Sequence, residues 1–416
     1  MSRTKPYVIS KYLVMTAYKL VKANKGAAGV DKQTLDDFDL NLKDNLYKIW
    51  NRMSSGSYFP PAILAVPIPK KTGGERILGV PTISDRIAQM VAKLTFEPLV
   101  EPYFHPDSYG YRPSKSALDA VGITRQRCWE NDWVLEFDIK GLFDNIDHEL
   151  MMKLVRKHTD NKWVILYTER WLKAPMQMPD ETCVPRTQGL GQGGVISPVL
   201  SNLFLHYVFD IWMSRNYPQI KWCRYADDGV LHCKSEEEAI ILRGVLEKRF
   251  QECKLELHTE KTKIIYCRDG RRTKEYPNTK FTFLGYDFRR RMAVNPKDNS
   301  RFLGFTPAVS KSALKSMQAE IRSHKIHRKS HCSLSDIAKE LNPILSGWFN
   351  YYGKYTPSAL ERLKDYLHYR LVAWAMHKYK KLKGRKTMAS LFIKKIKTTS
   401  PNLFVHWKAE KIAMVA

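Results

Sequence analysis

Hydrophobic and polar positions follow two periods along this chain, and the period changes in blocks. Over 8–24 and 36–53, Leu, Ile, Val, Tyr and Trp recur at helical spacing. A Gly-rich turn, Lys25-Gly26-Ala27-Ala28-Gly29-Val30-Asp31, separates the two helices. Between Ala65 and Pro81 the pattern changes to short runs, Val66–Lys70 and Arg76–Val80, around Lys71-Thr72-Gly73-Gly74, which predicts a hairpin. Helical spacing returns over 84–100, 115–130, 147–157, 161–173, 197–213 and 236–252. Strand-like runs lie at 133–138, 220–225, 230–233, 262–267 and 281–288, and 175–194 is turn-rich. From about Lys311 onward the spacing is helical only. Strands mixed with helices, then helices alone, predict an α+β domain followed by an α domain. The expected breaks are 289–310 and the Lys-rich 378–386.

Two of these strands end in acids. Trp133-Val134-Leu135-Glu136-Phe137 delivers Asp138, and Arg224-Tyr225-Ala226-Asp227-Asp228 puts two carboxylates at a hairpin tip. Adjacent aspartates alone are a weak signal, because Asp favours turns by bonding its own backbone. Strand-like flanks on both sides, and a third acid from a second strand, strengthen it. Three carboxylates from two strands suit two-metal nucleotidyl transfer, in which paired Mg²⁺ ions activate a 3′-hydroxyl and stabilise leaving pyrophosphate. The expectation is a nucleic-acid polymerase.

Charge points the same way. The 416 residues carry a net charge of +27, and from Arg289 onward there are 27 Lys and Arg against 7 Asp and Glu. Concentrated positive charge favours a polyanion through counterion release. The seven cysteines form no Cys-x-x-Cys pair, which argues against a zinc site or a disulfide framework and suits a reducing compartment. No apolar run reaches membrane-spanning length and no signal peptide is visible, so no membrane partner is expected. A cytoplasmic, bacterial protein is expected, nucleoid-associated when bound to DNA.

The order of motifs resembles a group II intron reverse transcriptase, or maturase, over nearly the whole chain. Gly26–Asp31 looks like the family's N-terminal extension, and Ile68-Pro69-Lys70 through Thr82 like its fingers hairpin. Ser108-Tyr109-Gly110-Tyr111-Arg112-Pro113 is similar to the next block, and Phe137–Asp144 to the first acidic motif of the palm. Gln192–Pro198, Tyr225–Asp228, Leu257–Lys263 and Phe283–Tyr286 follow in family order. Leu345–Tyr352 looks like the thumb that binds intron RNA. The resemblance implies a right-hand polymerase of class α+β, with fingers and palm built on antiparallel sheet plus helices, then an α-helical thumb/maturase domain. It divides the chain into extension and fingers (1–132), palm (133–300, with 175–215 at the fingers/palm junction), thumb (301–386) and a short basic tail (387–416).

Roles carry over as implications of the resemblance. Asp138, Asp227 and Asp228, with the backbone carbonyl of Ile139, would hold two Mg²⁺ ions, with Mn²⁺ as a substitute. Lys261 would protonate pyrophosphate, with Lys263 second. Lys70 and Arg76 would grip the triphosphate of a dNTP, since cations over a tetraanion offset charge that the metals only partly neutralise. Phe143 would sit beneath the sugar and exclude a ribose 2′-hydroxyl. Gln192 would lie beside the template or nascent pair, and Gly193, Tyr225 and Arg112 along template and primer. Phe283, Leu284 and Gly285 would position the end of a DNA primer.

The chain departs from the family pattern in three places. Gly189-Leu190-Gly191-Gln192 replaces the usual Gly-Thr-Pro-Gln, Lys32 replaces a Gly, and nothing past Trp407 resembles an endonuclease. The expected function is therefore an RNA-directed DNA polymerase that copies RNA into cDNA, binds structured intron RNA to assist splicing and mobility, and does not cut its own DNA target. Two alternatives are a non-catalytic RNA-binding splicing factor and a domesticated reverse transcriptase serving DNA repair or phage defence.

Overall fold

The structure is a computed structural model that describes residues 5–69, 73–294 and 298–408. The chain opens with α1 (Lys11–Ala23), α2 (Leu35–Leu40) and α3 (Leu42–Ser55), then β1 (Ile63–Pro69), β2 (Glu75–Val80) and α4 (Ile83–Val100). Next come α5 (Ala117–Glu130), β3 (Trp133–Phe137), α6 (Leu142–Asn145), α7 (His148–His158), α8 (Lys162–Lys173), β4 (Met176–Gln177) and β5 (Cys183–Val184). Then follow α9 (Ser197–Leu205), a π turn (His206–Asp210), α10 (Ile211–Asn216), β6 (Lys221–Tyr225), β7 (Asp228–Cys233) and α11 (Glu236–Glu252). The last strands are β8 (Lys263–Tyr266), β9 (Lys280–Phe283), β10 (Tyr286–Val294) and β11 (Arg301–Val309). Helices α12 (Lys311–Ser323), α13 (Leu334–Tyr352), α14 (Glu361–Lys378) and α15 (Lys386–Thr399) follow. Three sheets have the orders β2-β1-β4-β5, β6-β7-β3-β8 and β11-β10-β9. This is the expected α+β class.

Local chemistry explains many of the boundaries. Thr82 caps α4 by accepting from Asp85 N, and Thr34/Asp37 and Ser333/Asp336 form reciprocal capping boxes on α2 and α13. Such caps are typically worth ~1 kcal/mol each.

The chain separates into two compact units that interleave in sequence: Met1–Ser116, Leu135–Cys233 and Glu237–Lys263 in one, and Ala117–Val134, Lys234–Glu236 and Ile264–Ala416 in the other. These do not follow the four consecutive stretches expected. Helix α5, expected among the fingers, belongs to the second unit, where Trp129 Nε1 donates to Phe305 O (2.9 Å) and Tyr355 Oη to Leu118 O (2.7 Å).

In the first unit α1 and α4 lie side by side, and a buried carboxylate ties α4 to α8. Asp85 accepts from Tyr58 Oη, Trp171 Nε1 and Gln89 Nε2 at 2.8–2.9 Å. Gln89 Oε1 in turn takes Val195 N at 2.7 Å, which fixes the loop that follows Gln192.

Two expectations fail in the second unit. The segment 281–288 is not one strand, because Leu284 (φ 50°) and Gly285 (φ 79°) turn the chain between β9 and β10. The stretch 289–310 is not a break: β10 and β11 pair antiparallel from Tyr286↔Val309 to Val294↔Arg301. The run Arg289-Arg290-Arg291 hid that strand, since a charged run masks a period of two. Asn295, Pro296 and Lys297 lie outside the described residues.

The helical core of this unit gathers Leu341, Leu345, Leu363, Leu367, Leu371 and Trp374, with Trp348, Phe349 and Tyr352 packed against it. Residues 387–408, expected as a basic tail, are largely helix α15, and Ala389, Ile393, Phe404 and Trp407 join that core. The Lys side chains that make this segment look like a tail keep their charged ends in water while the apolar positions are buried.

Candidate active site

The active-site candidates of the first unit begin with a tight hairpin. Strands β6 and β7 pair antiparallel up to Tyr225↔Asp228, leaving Ala226-Asp227 as a two-residue turn. Ala226 takes φ 55°, a left-handed conformation that a side chain resists. Phe137, the residue before Asp138, lies across Gly229. A Cβ on Gly229 would come within 2.1 Å of the Phe137 ring, so only glycine lets β3 run this close to β7. Phe137 also packs on Phe209 and Phe250.

Beyond β3 the chain keeps extended pairing. Asp138 O accepts from His258 N (2.8 Å) and Lys140 N donates to Glu256 O (2.9 Å), with Ile139 bridged to Leu257. In that antiparallel register the Ile139 carbonyl faces away from the 256–258 segment.

The acids are crowded. The Asp228 carboxyl is pushed up to about 7 by its desolvated surroundings, then by Asp227 and Asp138, although the residue as a whole is exposed. Asp227 is raised too, by burial first and then by Asp138. Lys261 Nζ sits 2.8 Å from Asp138 Oδ2 and is itself raised by that hydrogen bond.

A fourth acid was missed in the sequence. Glu136, two residues before Asp138 and so on the same face of β3, is pushed up to about 8 by burial and Asp228, with Lys263 opposing. The signal that could have found it is the period of two. Tyr111 was also passed over. It is 53% exposed at φ 57°, and its phenol is raised by burial and by Asp227 and Tyr225, with Arg76 opposing.

The other expected residues fall in several places. Arg76 is exposed on β2, opposite Ile68, and shares the electrostatic surroundings of Tyr111 with Asp227 and Asp228. Lys70 lies outside the described residues. Phe143 is half-buried in α6, and its carbonyl accepts from Leu190 N at 2.5 Å. Gln192 Nε2 reaches the Asp144 carboxylate at 3.3 and 3.4 Å, and Gln192 O accepts from Gly79 N at 2.6 Å. Gly193 follows at φ 110° against Gly79 O. The 189–193 loop thus meets both α6 and β2, which brings Phe143 and Gln192 together. The unusual Leu190 is buried. Tyr225 is half-buried at the end of β6.

Arg112 is different. Expected against template phosphates, it is nearly buried, with Nε 2.9 Å from Glu101 Oε1 and Nη1 bonded to His105 O (2.6 Å) and Ser108 O (2.7 Å). It braces its own loop. Phe283, Leu284 and Gly285 belong to the second unit, where Phe283 is buried and Leu284 O accepts from Tyr351 Oη at 2.9 Å.

Hard carboxylate oxygens packed until they raise one another's pKa fit divalent cations in chemistry and in charge. As the side chains stand, no three acidic, His or Cys groups among the described residues cage an ion, and Asp138 is turned to Lys261.

Comparison with known proteins identifies the family. Residues 68–306 match the family model for reverse transcriptase (RNA-dependent DNA polymerase), and 314–392 match the group II intron maturase-specific domain. Protein YkfC of Escherichia coli (strain K12) is 32% identical over 318 residues, covering 66% of this chain and 80% of YkfC. Group II intron-encoded protein LtrA of Lactococcus lactis subsp. cremoris is 25% identical over 414 residues, covering 84% of this chain and 65% of LtrA. The putative COX1/OXI3 intron 1 protein of Saccharomyces cerevisiae is 26% identical over 253 residues, 60% of this chain and 29% of that one. Reverse transcriptases use divalent metal ions, and the two matched domains imply nucleic-acid substrates. Among the described residues no helix is long and apolar enough to cross a membrane. The chain belongs to the group II intron reverse transcriptases and maturases, a family of RNA-directed DNA polymerases.

Proposed function

We propose that this protein copies RNA into cDNA from a DNA primer and dNTPs, and that it binds structured intron RNA to assist splicing and mobility. The convergence of Asp138, Asp227 and Asp228 beside Lys261 carries the reading. Two Mg²⁺ ions, with Mn²⁺ able to substitute, would be held by these three carboxylates and the Ile139 carbonyl. When bound they supply Lewis acidity to the 3′-hydroxyl and the leaving pyrophosphate.

The residues do the rest. Lys261, kept protonated by its bond to Asp138, holds a proton at Nζ for the pyrophosphate oxygen. Arg76, with Lys70, neutralises the triphosphate, and the Phe143 ring excludes the 2′-hydroxyl. Gln192 and Gly193 flank the template, Tyr225 lies by the primer, and Phe283–Gly285 carry its end. Arg112 acts by bracing the 105–112 loop. A cytoplasmic site of action, at the nucleoid when DNA is bound, goes with this reading.

Primer extension on an RNA template with DNA primer, dNTPs and Mg²⁺, run beside Asp227→Ala, tests it. Full-length cDNA from the wild type and none from the variant supports the proposal. An intact wild type that binds intron RNA but makes no cDNA would instead be a splicing factor.

A further inference from the structure

Arg224 is the residue before Tyr225 on β6, and its side chain is fully buried. Burying a guanidinium is costly unless every donor is satisfied. Here all five N–H groups have partners. Nε and Nη2 grip Asp210 Oδ1 and Oδ2 at 2.8 and 2.7 Å, and Nη2 also reaches Ser108 Oγ at 2.9 Å. Nη1 donates to Asn202 Oδ1 at 3.2 Å and to Ala226 O at 3.0 Å. Asp210 is equally buried and stays ionised, held below the usual carboxylate range by Arg224 and His206 against its burial. It ends the π turn that interrupts the helix running from α9 to α10.

The last of these bonds is the informative one. Ala226 O belongs to the peptide that joins Ala226 to Asp227, and Ala226 is held left-handed. Arg224 therefore fixes the plane from which Asp227 projects. A buried ion pair of this kind is seldom worth more to stability than apolar side chains of similar volume. Its geometry is what apolar residues could not supply.

We propose that Arg224, anchored by Asp210 and Asn202, is a positioning residue for the metal-binding turn: it sets the direction of Asp227, and through it the cation affinity and rate of the site. The proposal rests on the polymerase reading above. The link runs from buried pair to peptide plane to carboxylate.

Two variants separate positioning from stability. Arg224→Lys keeps the charge for Asp210 but gives up the planar fork. The double variant Arg224→Met/Asp210→Leu replaces the pair by apolar volume. Each is measured for thermal unfolding, for Mn²⁺ binding by titration calorimetry without nucleotide, and for kcat and KM in primer extension. The expected result is near-native unfolding and KM for template–primer, weaker Mn²⁺ binding, and kcat lower by about 100-fold, the order of loss that a small misplacement of a reacting group produces. A folded Arg224→Lys or double variant with wild-type kcat and Mn²⁺ affinity overturns the proposal. If the double variant does not fold, Arg224→Lys decides alone. If wild type makes no cDNA, the polymerase reading fails, and Mn²⁺ affinity in Arg224→Lys against wild type still decides whether Arg224 positions the turn.

Discussion

Lys261 Nζ stands 2.8 Å from Asp138 Oδ2, so the ammonium proposed to protonate pyrophosphate begins as the counter-ion of a proposed metal ligand. The two roles connect: cations arriving at Asp138 would free Lys261 for the leaving group. Lys261→Met is expected to lower kcat by about 100-fold, within the range general acids contribute, with little change in template–primer KM. Single-nucleotide incorporation under saturating dNTP measures this. An unchanged kcat would remove Lys261 from the chemistry.

Phe143 is held through its backbone by Leu190 N, in a loop of unusual sequence. If its ring excludes the ribose 2′-hydroxyl, Phe143→Ala opens space for ribonucleotides. The ratio of kcat/KM for dGTP over rGTP should then fall by about 10-fold or more, the discrimination a pocket gains from small steric differences. A ratio equal to wild type would mean that the gate lies elsewhere.

Lys32, at a position where the resemblance implies glycine, adopts φ 57°. Its amide closes a turn by donating to Gly29 O at 3.0 Å. A left-handed non-glycine residue costs roughly 1–2 kcal/mol, partly offset by the extra freedom glycine has when unfolded. Lys32→Gly should stabilise the first unit by about 0.5–1 kcal/mol on this reasoning, read as a higher urea midpoint. A lower midpoint would show that the Lys side chain makes a contribution greater than the strain.

His406 is 2% exposed among Phe349, Phe404 and Trp407, and neither ring nitrogen has a hydrogen-bond partner among the described residues. Burial, with Lys397 and Lys364 nearby, pushes its pKa down to about 3. An unfolded histidine takes up its proton near pH 6.5, so below that the unfolded chain binds more protons than the folded one. Stability is present above pH 6.5 and is lost as pH falls toward 3. Between pH 7 and pH 5 the loss is about 2 kcal/mol, and His406→Phe should abolish that share of it. Urea unfolding of both proteins at the two pH values is the check. Equal losses would mean that His406 is protonated in the fold.

What was legible in the sequence was local. Asp227 and Asp228 could be read because a two-residue hairpin needs only its own flanks, and Asp138 because it directly follows the strand-like run Trp133–Phe137. Glu136 and Tyr111 stood in quoted motifs, yet their importance depends on which charges the fold brings beside them. Arg112 shows the converse: Glu101 and two carbonyls hold it, and sequence shows charge but not who holds it. Strand β10 and helix α15 were lost where runs of Arg and Lys, Arg289–Arg291 and Lys394-Lys395 with Lys397, interrupt the apolar residues that anchor them.

The π turn at His206–Asp210 shifts the helical frame. Such a turn is what a single inserted residue leaves in an α-helix, and it rotates everything beyond it by about 100°. Residues 197–205 and 211–216 therefore run in different frames, although the sequence between them has no visible break. An alignment that carries one frame through both would set Asp210 against the wrong neighbour. Relatives without the extra residue would need another acid for their arginine, or another residue in its place. The insertion and the arginine should then be gained and lost together.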